Sequence, residues 1–259
     1  MDPKIRKHFK KVDRTLYSVI KKLDKLEPLK IRDESGYFLD LVDSIISQQL
    51  SVKVSNTILA RFKKLFKREI IDPKDLLKLS DDQIRTTGTS FPKIKYLKDL
   101  AEKLISKELD LSKLKVLDDE QVIEQLTKVK GIGKWTAEMF LMFSLGREDI
   151  FSYGDLGLKN ALKKLYKLEN PTKEQIEKIV AKWSPYKTHA ARVLWKSLNN
   201  LQKMRYIGYT LKVEFLPKEV TLTDAQKTQN IPDVFLPGQR SGKTQTQLAP
   251  DQTKSSEGN

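Results

Sequence analysis

Leu126-Thr127-Lys128-Val129-Lys130-Gly131-Ile132-Gly133-Lys134-Trp135-Thr136-Ala137-Glu138-Met139-Phe140 is the stretch on which the fold turns. Val122, Leu126 and Val129 recur at helical spacing before the glycines, and Ala137, Phe140, Leu141 and Ser144 do so after them. The segment therefore reads as two helices, each burying one face. Two glycines one residue apart allow a tight hairpin between them. The second helix then starts with free backbone N–H groups turned toward solvent, where the positive end of the helix dipole favours an anion such as phosphate. Lys128, Lys130 and Lys134 add charge around that start. A plain helix corner with glycines kept for packing would use the same residues.

Outward from the hairpin the pattern stays helical. Ile5, Phe9, Val12, Leu16, Val19, Ile20, Leu23 and Leu26 recur every three or four positions, which predicts one amphipathic helix ended by Pro28. Similar spacing runs through Phe38 to Ile46, Val54 to Leu65 and Ile94 to Ile105, with breakers at Asp72-Pro73, Ser80-Asp81-Asp82, Thr87-Gly88-Thr89 and Asn170-Pro171. Strand-like alternation is scarce before residue 205. The reading is an all-α domain of many short helices over 1–203, with the hairpin at 121–145. Near residue 204 the composition turns rich in Gln, Thr, Ser, Pro and Gly. A C-terminal extension, 204–259, is expected to be largely disordered, with a short strand pair conceivable at 206–216.

The chain has 259 residues and 49 Lys+Arg against 34 Asp+Glu, a net charge of +15. Residues 204–259 hold seven basic and six acidic side chains, so the excess belongs to the helical domain. A polyanionic partner follows, nucleic acid foremost, although a ribosomal site, anionic lipid or a Lys-rich proteome would give the same charge. Cysteine is absent, which excludes disulfides, thiol catalysis and Cys-held zinc or iron–sulfur clusters. His8 and His189 lie far apart and form no metal-ligand spacing. No apolar run nears the ~18 residues of a membrane span. Met1-Asp2-Pro3-Lys4 does not open a secretory signal. A soluble intracellular protein is expected.

A second stretch follows the hairpin: Asp149-Ile150-Phe151-Ser152-Tyr153-Gly154-Asp155-Leu156-Gly157-Leu158-Lys159-Asn160-Ala161-Leu162. Taken alone, Asp155 is a helix N-cap. Hairpin and loop together resemble the helix-hairpin-helix DNA glycosylase superfamily, named for that hairpin and a following Gly/Pro-rich loop with an aspartate. The resemblance covers about residues 30–200 and implies a two-lobed helical fold with a cleft between the lobes. It makes the loop at 149–162 catalytic and Asp155 its catalytic residue. Ser152-Tyr153-Gly154 departs from the family, which usually has Pro-Val or similar residues just before the aspartate.

Members that also cut the strand carry a lysine immediately before the Thr-Ala of the hairpin. Here that residue is Trp135. Lys134 is one position early, about 100° away around a helix. A monofunctional enzyme is implied. The 20-residue step from Trp135 to Asp155 is similar to the DNA-3-methyladenine glycosylase II branch, in which an aromatic here lines the base pocket. The missing cysteines agree, since endonuclease III-like relatives commonly hold an iron–sulfur cluster.

Three further segments carry the resemblance. Ser47-Gln48-Gln49-Leu50-Ser51-Val52 is similar to the family's wedge into the DNA stack, with Gln49 or Leu50 as the wedge and Ser51 also suited to cap the next helix. Thr87-Gly88-Thr89-Ser90-Phe91-Pro92-Lys93-Ile94-Lys95-Tyr96-Leu97 resembles a family Gly-x-Ser-x-x-Lys-x-x-Tyr-Leu pattern, with Pro92 unusual at a helix start. Trp183 to Trp195 is similar to the closing helix, whose last Trp, here Trp195, would form a second pocket wall or sit in the core. No counterpart of the extra N-terminal sheet domain of larger relatives is expected, since helix periodicity begins by Ile5.

The resemblance implies excision of alkylated bases of the 3-methyladenine and 7-methylguanine type from double-stranded DNA. Phosphates would be held by Lys130, Gly131, Gly133 and Lys134. A monovalent cation on the carbonyls of Thr127, Val129 and Ile132 can bridge to phosphate; no organic cofactor and no side-chain metal site are implied. A monomer is expected, nucleoid-associated in a prokaryotic cytoplasm or nuclear in a eukaryote. A glycosylase for mismatched thymine, uracil or oxidised purine, and a non-catalytic helix-hairpin-helix DNA-binding module, remain alternatives.

Overall fold

The computed structural model describes residues 1–23, 26–29 and 31–198; the extension at 204–259 and the strand pair at 206–216 lie outside them. The described residues form α-helices and short 3-10 turns, with no strand among them.

The N-terminal expectation needs correction. Two helices stand there, α1 (Pro3–Val12) and α2 (Arg14–Lys22), broken at Asp13, whose backbone is extended at φ −152° and ψ 92°. The Asp13 carboxylate accepts from the Leu16 amide at 2.9 Å, the Tyr166 hydroxyl at 2.6 Å and the Trp183 indole at 2.9 Å. Three donors on one buried carboxylate offset its desolvation and fix the break. The apolar spacing runs through it because Ile5, Phe9, Leu16 and Ile20 all bury toward one core.

Next come α3 (Tyr37–Ser47), α4 (Val52–Lys63), α5 (Pro73–Lys78), α6 (Asp81–Arg85), α7 (Phe91–Ile105), α8 (Asp119–Thr127) and α9 (Lys134–Phe143). Then follow α10 (Leu156–Tyr166), α11 (Lys173–Ala181) and α12 (Lys187–Ser197). Reciprocal capping boxes start α6 (Ser80, Gln83), α8 (Asp118, Gln121) and α11 (Thr172, Gln175), explaining why such short helices begin where they do. Pro92, unusual from sequence, sits in the first turn of α7, where a missing N–H costs nothing.

Two packing groups emerge. Helices α1, α2, α10 and α12 pack on one another, while α3 packs on α4, α7 and α9, α7 on α5 and α6, and α8 on α9. One continuous apolar core runs through both groups. Helix α9 is its spine: every residue from Thr136 to Phe143 is buried, as expected of a helix apolar nearly all round. The start of α9 comes from one group and the start of α10 and the end of α12 from the other, which sets the position of the site.

Candidate active site

Asp155 caps α10, accepting from the Leu158 amide on Oδ1 at 2.7 Å. Two indoles reach the same carboxylate: Trp195 Nε1 donates to Oδ1 at 3.1 Å and Trp135 Nε1 to Oδ2 at 2.9 Å. The cap expected of Asp155 is therefore present, and the same carboxylate also accepts from both indoles. Asp155 is only 4% exposed, and its orientation is fixed from three sides. The two tryptophans differ. Trp135 is 39% exposed at the start of α9 and presents ring surface, whereas Trp195 is 5% exposed, its ring 6.2 Å from that of Phe143. Trp195 serves here as a buried donor to Asp155 rather than an open stacking face. Lys134 is exposed beside Trp135.

Gly133 is the N-cap of α9 and no side chain caps that helix, so its first-turn amides remain for an anion. The glycines have separate reasons. Gly131 has φ +81°, and a Cβ there would stand 2.2 Å from Cδ2 of Tyr96; Gly133 is exposed, and a Cβ there would meet nothing within 4 Å. Conformation and packing require the first, while the second leaves backbone open to close approach. Lys128 and Lys134 are exposed. Lys130 is more committed than expected: its amide donates to Asp99 Oδ2 at 2.8 Å and its ammonium lies 3.2 Å from Oδ1. The carbonyls of Thr127 and Ile132 accept no backbone hydrogen bond among the described residues, and that of Val129 accepts one, from the Ile132 amide at 3.1 Å. All three keep lone pairs for a cation, so the hairpin fits the group implied for it. Among the described residues no side-chain cluster suits a metal.

The turn between α3 and α4 carries the wedge candidates. Gln49 is exposed with φ +57°, Leu50 is 37% exposed, and Ser51 caps α4 through the Val54 amide at 3.4 Å. Both side chains stand outward, and neither is favoured by position. Their neighbour Gln48 was not singled out from sequence, yet its amide donates to the Gly131 carbonyl at 2.7 Å, tying this turn to the hairpin. Helix α7 joins the two from beneath. Lys93 Nζ donates to the carbonyls of Ile46 and Gln48 at 2.9 and 2.7 Å, Tyr96 packs against Gly131, and Asp99 holds Lys130. Burial lowers the Lys93 ammonium below its ordinary value. The Lys-x-x-Tyr pattern quoted from sequence is thus a ruler that registers wedge turn against hairpin.

Glu138 and Ser152 are also new. The Ser152 hydroxyl donates to Glu138 Oε2 within the buried space between α9 and the Asp155 loop. Burial pushes the Glu138 carboxyl up, against the opposing pull of Ser152 and Lys134, and Asp155 adds a smaller push in the same direction as burial. A glutamate inside an apolar helix stretch was the available signal.

Comparison with known proteins identifies the family. Residues 42–185 match the family of HhH-GPD superfamily base excision DNA repair proteins. DNA-3-methyladenine glycosylase 1 of Schizosaccharomyces pombe is 33% identical over 193 residues, which are 73% of this chain and 85% of that protein. The crystal structure of a Bacillus halodurans DNA-3-methyladenine glycosidase superposes with a TM-score of 0.68 at 36% identity, covering 79% of this chain and 93% of that one. An S. pombe 3-methyladenine DNA glycosylase in complex with abasic DNA gives 0.67 at 31% identity, covering 78% and 100%. With the matched segment spanning wedge turn, hairpin and aspartate loop, the chain belongs to the HhH-GPD superfamily of base excision DNA repair proteins.

Proposed function

We propose that this chain is a monofunctional DNA glycosylase that flips alkylated bases of the 3-methyladenine and 7-methylguanine type out of duplex DNA and hydrolyses their N-glycosidic bond in base excision repair. The observation that carries the reading is Asp155, held by the Trp135 and Trp195 indoles beside an uncapped hairpin helix start. The relatives named as 3-methyladenine glycosylases support the substrate class. Trp135 stands where a strand-cutting member would have its lysine, which supports hydrolysis without strand cleavage.

A cationic N-alkylpurine has a weakened glycosidic bond and leaves as a neutral base, taking the electron pair of that bond. The enzyme therefore needs little acid catalysis. It must extract the nucleotide and place negative charge beside a sugar that develops oxocarbenium character. Asp155 supplies that charge, and Oδ2 has acceptor capacity left beside the Trp135 bond to orient a water and take its proton as oxygen bonds to the sugar carbon. The exposed face of Trp135 offers π density to a cationic base, a contact of about 0.5–2 kcal/mol, which predicts broad selectivity governed partly by bond lability. The α9 amides and Lys134 hold phosphates without reading sequence. A monovalent cation on the carbonyls of Thr127, Val129 and Ile132 would supply a bridge to phosphate. The proposal includes action as a monomer, at the nucleoid of a prokaryote or in the nucleus of a eukaryote.

The test is release of free base from methylated duplex DNA by the wild type and by Asp155→Asn, with strand integrity read before and after alkali. Release by the wild type, lost in the variant while DNA binding persists, with cuts only after alkali, is the expected outcome. Binding without release from methylated DNA, but with release from mismatched or oxidised substrates, would overturn the lesion class. Binding without release from any of them would overturn catalysis.

A further inference from the structure

The loop that carries Asp155 lacks the proline usual before the family's aspartate, and Ser152-Tyr153-Gly154 stands in its place. Something else must hold its backbone, because a proline would fix one dihedral of the loop outright. Ser152 is fully buried, and its carbonyl accepts the Asp155 amide at 3.2 Å, closing the turn that delivers Asp155 to the start of α10. The hydroxyl of the same residue donates to Glu138 Oε2. Phe151, just before it, sits edge-on to the Trp183 ring at 5.7 Å, and Gly154, just after it, has open space at its Cβ position. The Ser152 hydroxyl is thus the polar anchor of the loop, three residues from the aspartate.

The partner of that anchor is costly. Glu138 is 6% exposed on a helix buried from Thr136 to Phe143, where a leucine would pack without desolvating a carboxyl group. A buried acid retained at such a place needs a task that an apolar side chain cannot perform. We propose that Glu138 is a positioning residue that grips Ser152 and thereby holds the Asp155 carboxylate in register with the Trp135 and Trp195 indoles. This rests on Asp155 being the group that acts at the sugar. Glu138 lies one helical turn beyond Trp135 on α9, so one rigid element sets both the indole and the anchor of the carboxylate it meets.

The full chain has three tryptophans, and each indole N–H donates to a carboxylate: Trp135 and Trp195 to Asp155, Trp183 to Asp13. A ¹H–¹⁵N spectrum of the indole groups therefore reads the position of Asp155 directly, with the far-UV circular dichroism of each variant as the control for the fold. In Ser152→Ala and Glu138→Ala the Trp135 and Trp195 signals are expected to move while the circular dichroism stays as in wild type. Single-turnover base release should fall about tenfold with DNA affinity unchanged, and Glu138→Gln, which keeps a partner for the hydroxyl, should recover most of the rate. If both active-site indole signals stay in place in Ser152→Ala, or if the rate falls only in step with DNA affinity, the proposal is overturned. A changed circular dichroism in Glu138→Ala would mark a disturbed fold, and Ser152→Ala, the smaller change, then decides. A wild type that releases no base defeats the proposed function without touching the indole readout, so the two failures are distinguishable.

Discussion

Trp135 and Asp155, twenty residues apart and at the starts of two helices from different packing groups, are joined by an indole-to-carboxylate hydrogen bond of 2.9 Å. The residue proposed to face the base is therefore also one of those that orient the carboxylate. Trp135→Phe keeps an aromatic face and removes the donor, so it should lower single-turnover excision about tenfold, while Trp135→Ala, losing face and donor together, should lower it about a hundredfold. Equal rates for the two variants would mean that only the bond matters. Equal rates for Trp135→Phe and wild type would mean that only the ring does.

The hairpin glycines separate folding from binding. Gly131→Ala forces a side chain into a left-handed backbone and drives a methyl into the Tyr96 ring, so unfolding free energy should fall by about 1–3 kcal/mol from the backbone alone. Gly133→Ala meets neither obstacle, since its φ is −94° and nothing lies within 4 Å of the new Cβ. It should melt within a degree or two of wild type yet bind duplex DNA more weakly, because the methyl stands where phosphate would approach. Thermal melts and anisotropy titrations on both variants check this. Wild-type affinity in Gly133→Ala would remove the phosphate from that helix start.

What could be read from sequence was local. The hairpin, the N-cap role of Asp155 and the cap at Ser51 each depend on residues within a few positions of one another, where spacing carries the information. The break between α1 and α2 could not be read that way, because Asp13 finds its partners Tyr166 and Trp183 153 and 170 residues away. The same holds for Gln48, whose bond to Gly131 spans 83 residues, and for Trp195, whose burial follows from packing with Phe143. Lys93 and Tyr96 were visible as a pattern, but their task became visible only when α7 was seen lying under both wedge turn and hairpin.

Two hairpin lysines should differ in their contribution to DNA binding. Lys134 is exposed at the start of α9, whereas Lys130 already faces the Asp99 carboxylate at 3.2 Å. Lys134→Gln should reduce the slope of log affinity against log salt by about one, the signature of one lost phosphate contact. Lys130→Gln should change that slope by less, since part of its charge is neutralised before DNA arrives. Titrations from low to physiological salt give both slopes. An equal loss for the two variants would mean that Lys130 leaves Asp99 for phosphate on binding.

Burial of Glu138 has a consequence for stability against pH. Its carboxyl is raised above the ordinary 4.5, chiefly by desolvation. Between 4.5 and that raised value the folded chain keeps a proton that the unfolded chain has released. Stability from this group is therefore complete below the ordinary value and is lost as pH climbs through the folded one. Glutamine does not titrate and escapes the loss. The unfolding free energy of Glu138→Gln relative to wild type should rise as pH increases from about 4.5 and level off above the raised value. Asp119, raised by its own burial, is common to both chains and cancels in the difference. Urea denaturation of both proteins from pH 4 to 8 measures it. Parallel curves across that range would show that Glu138 is ionised at its ordinary value in the folded protein, and that its burial imposes no cost.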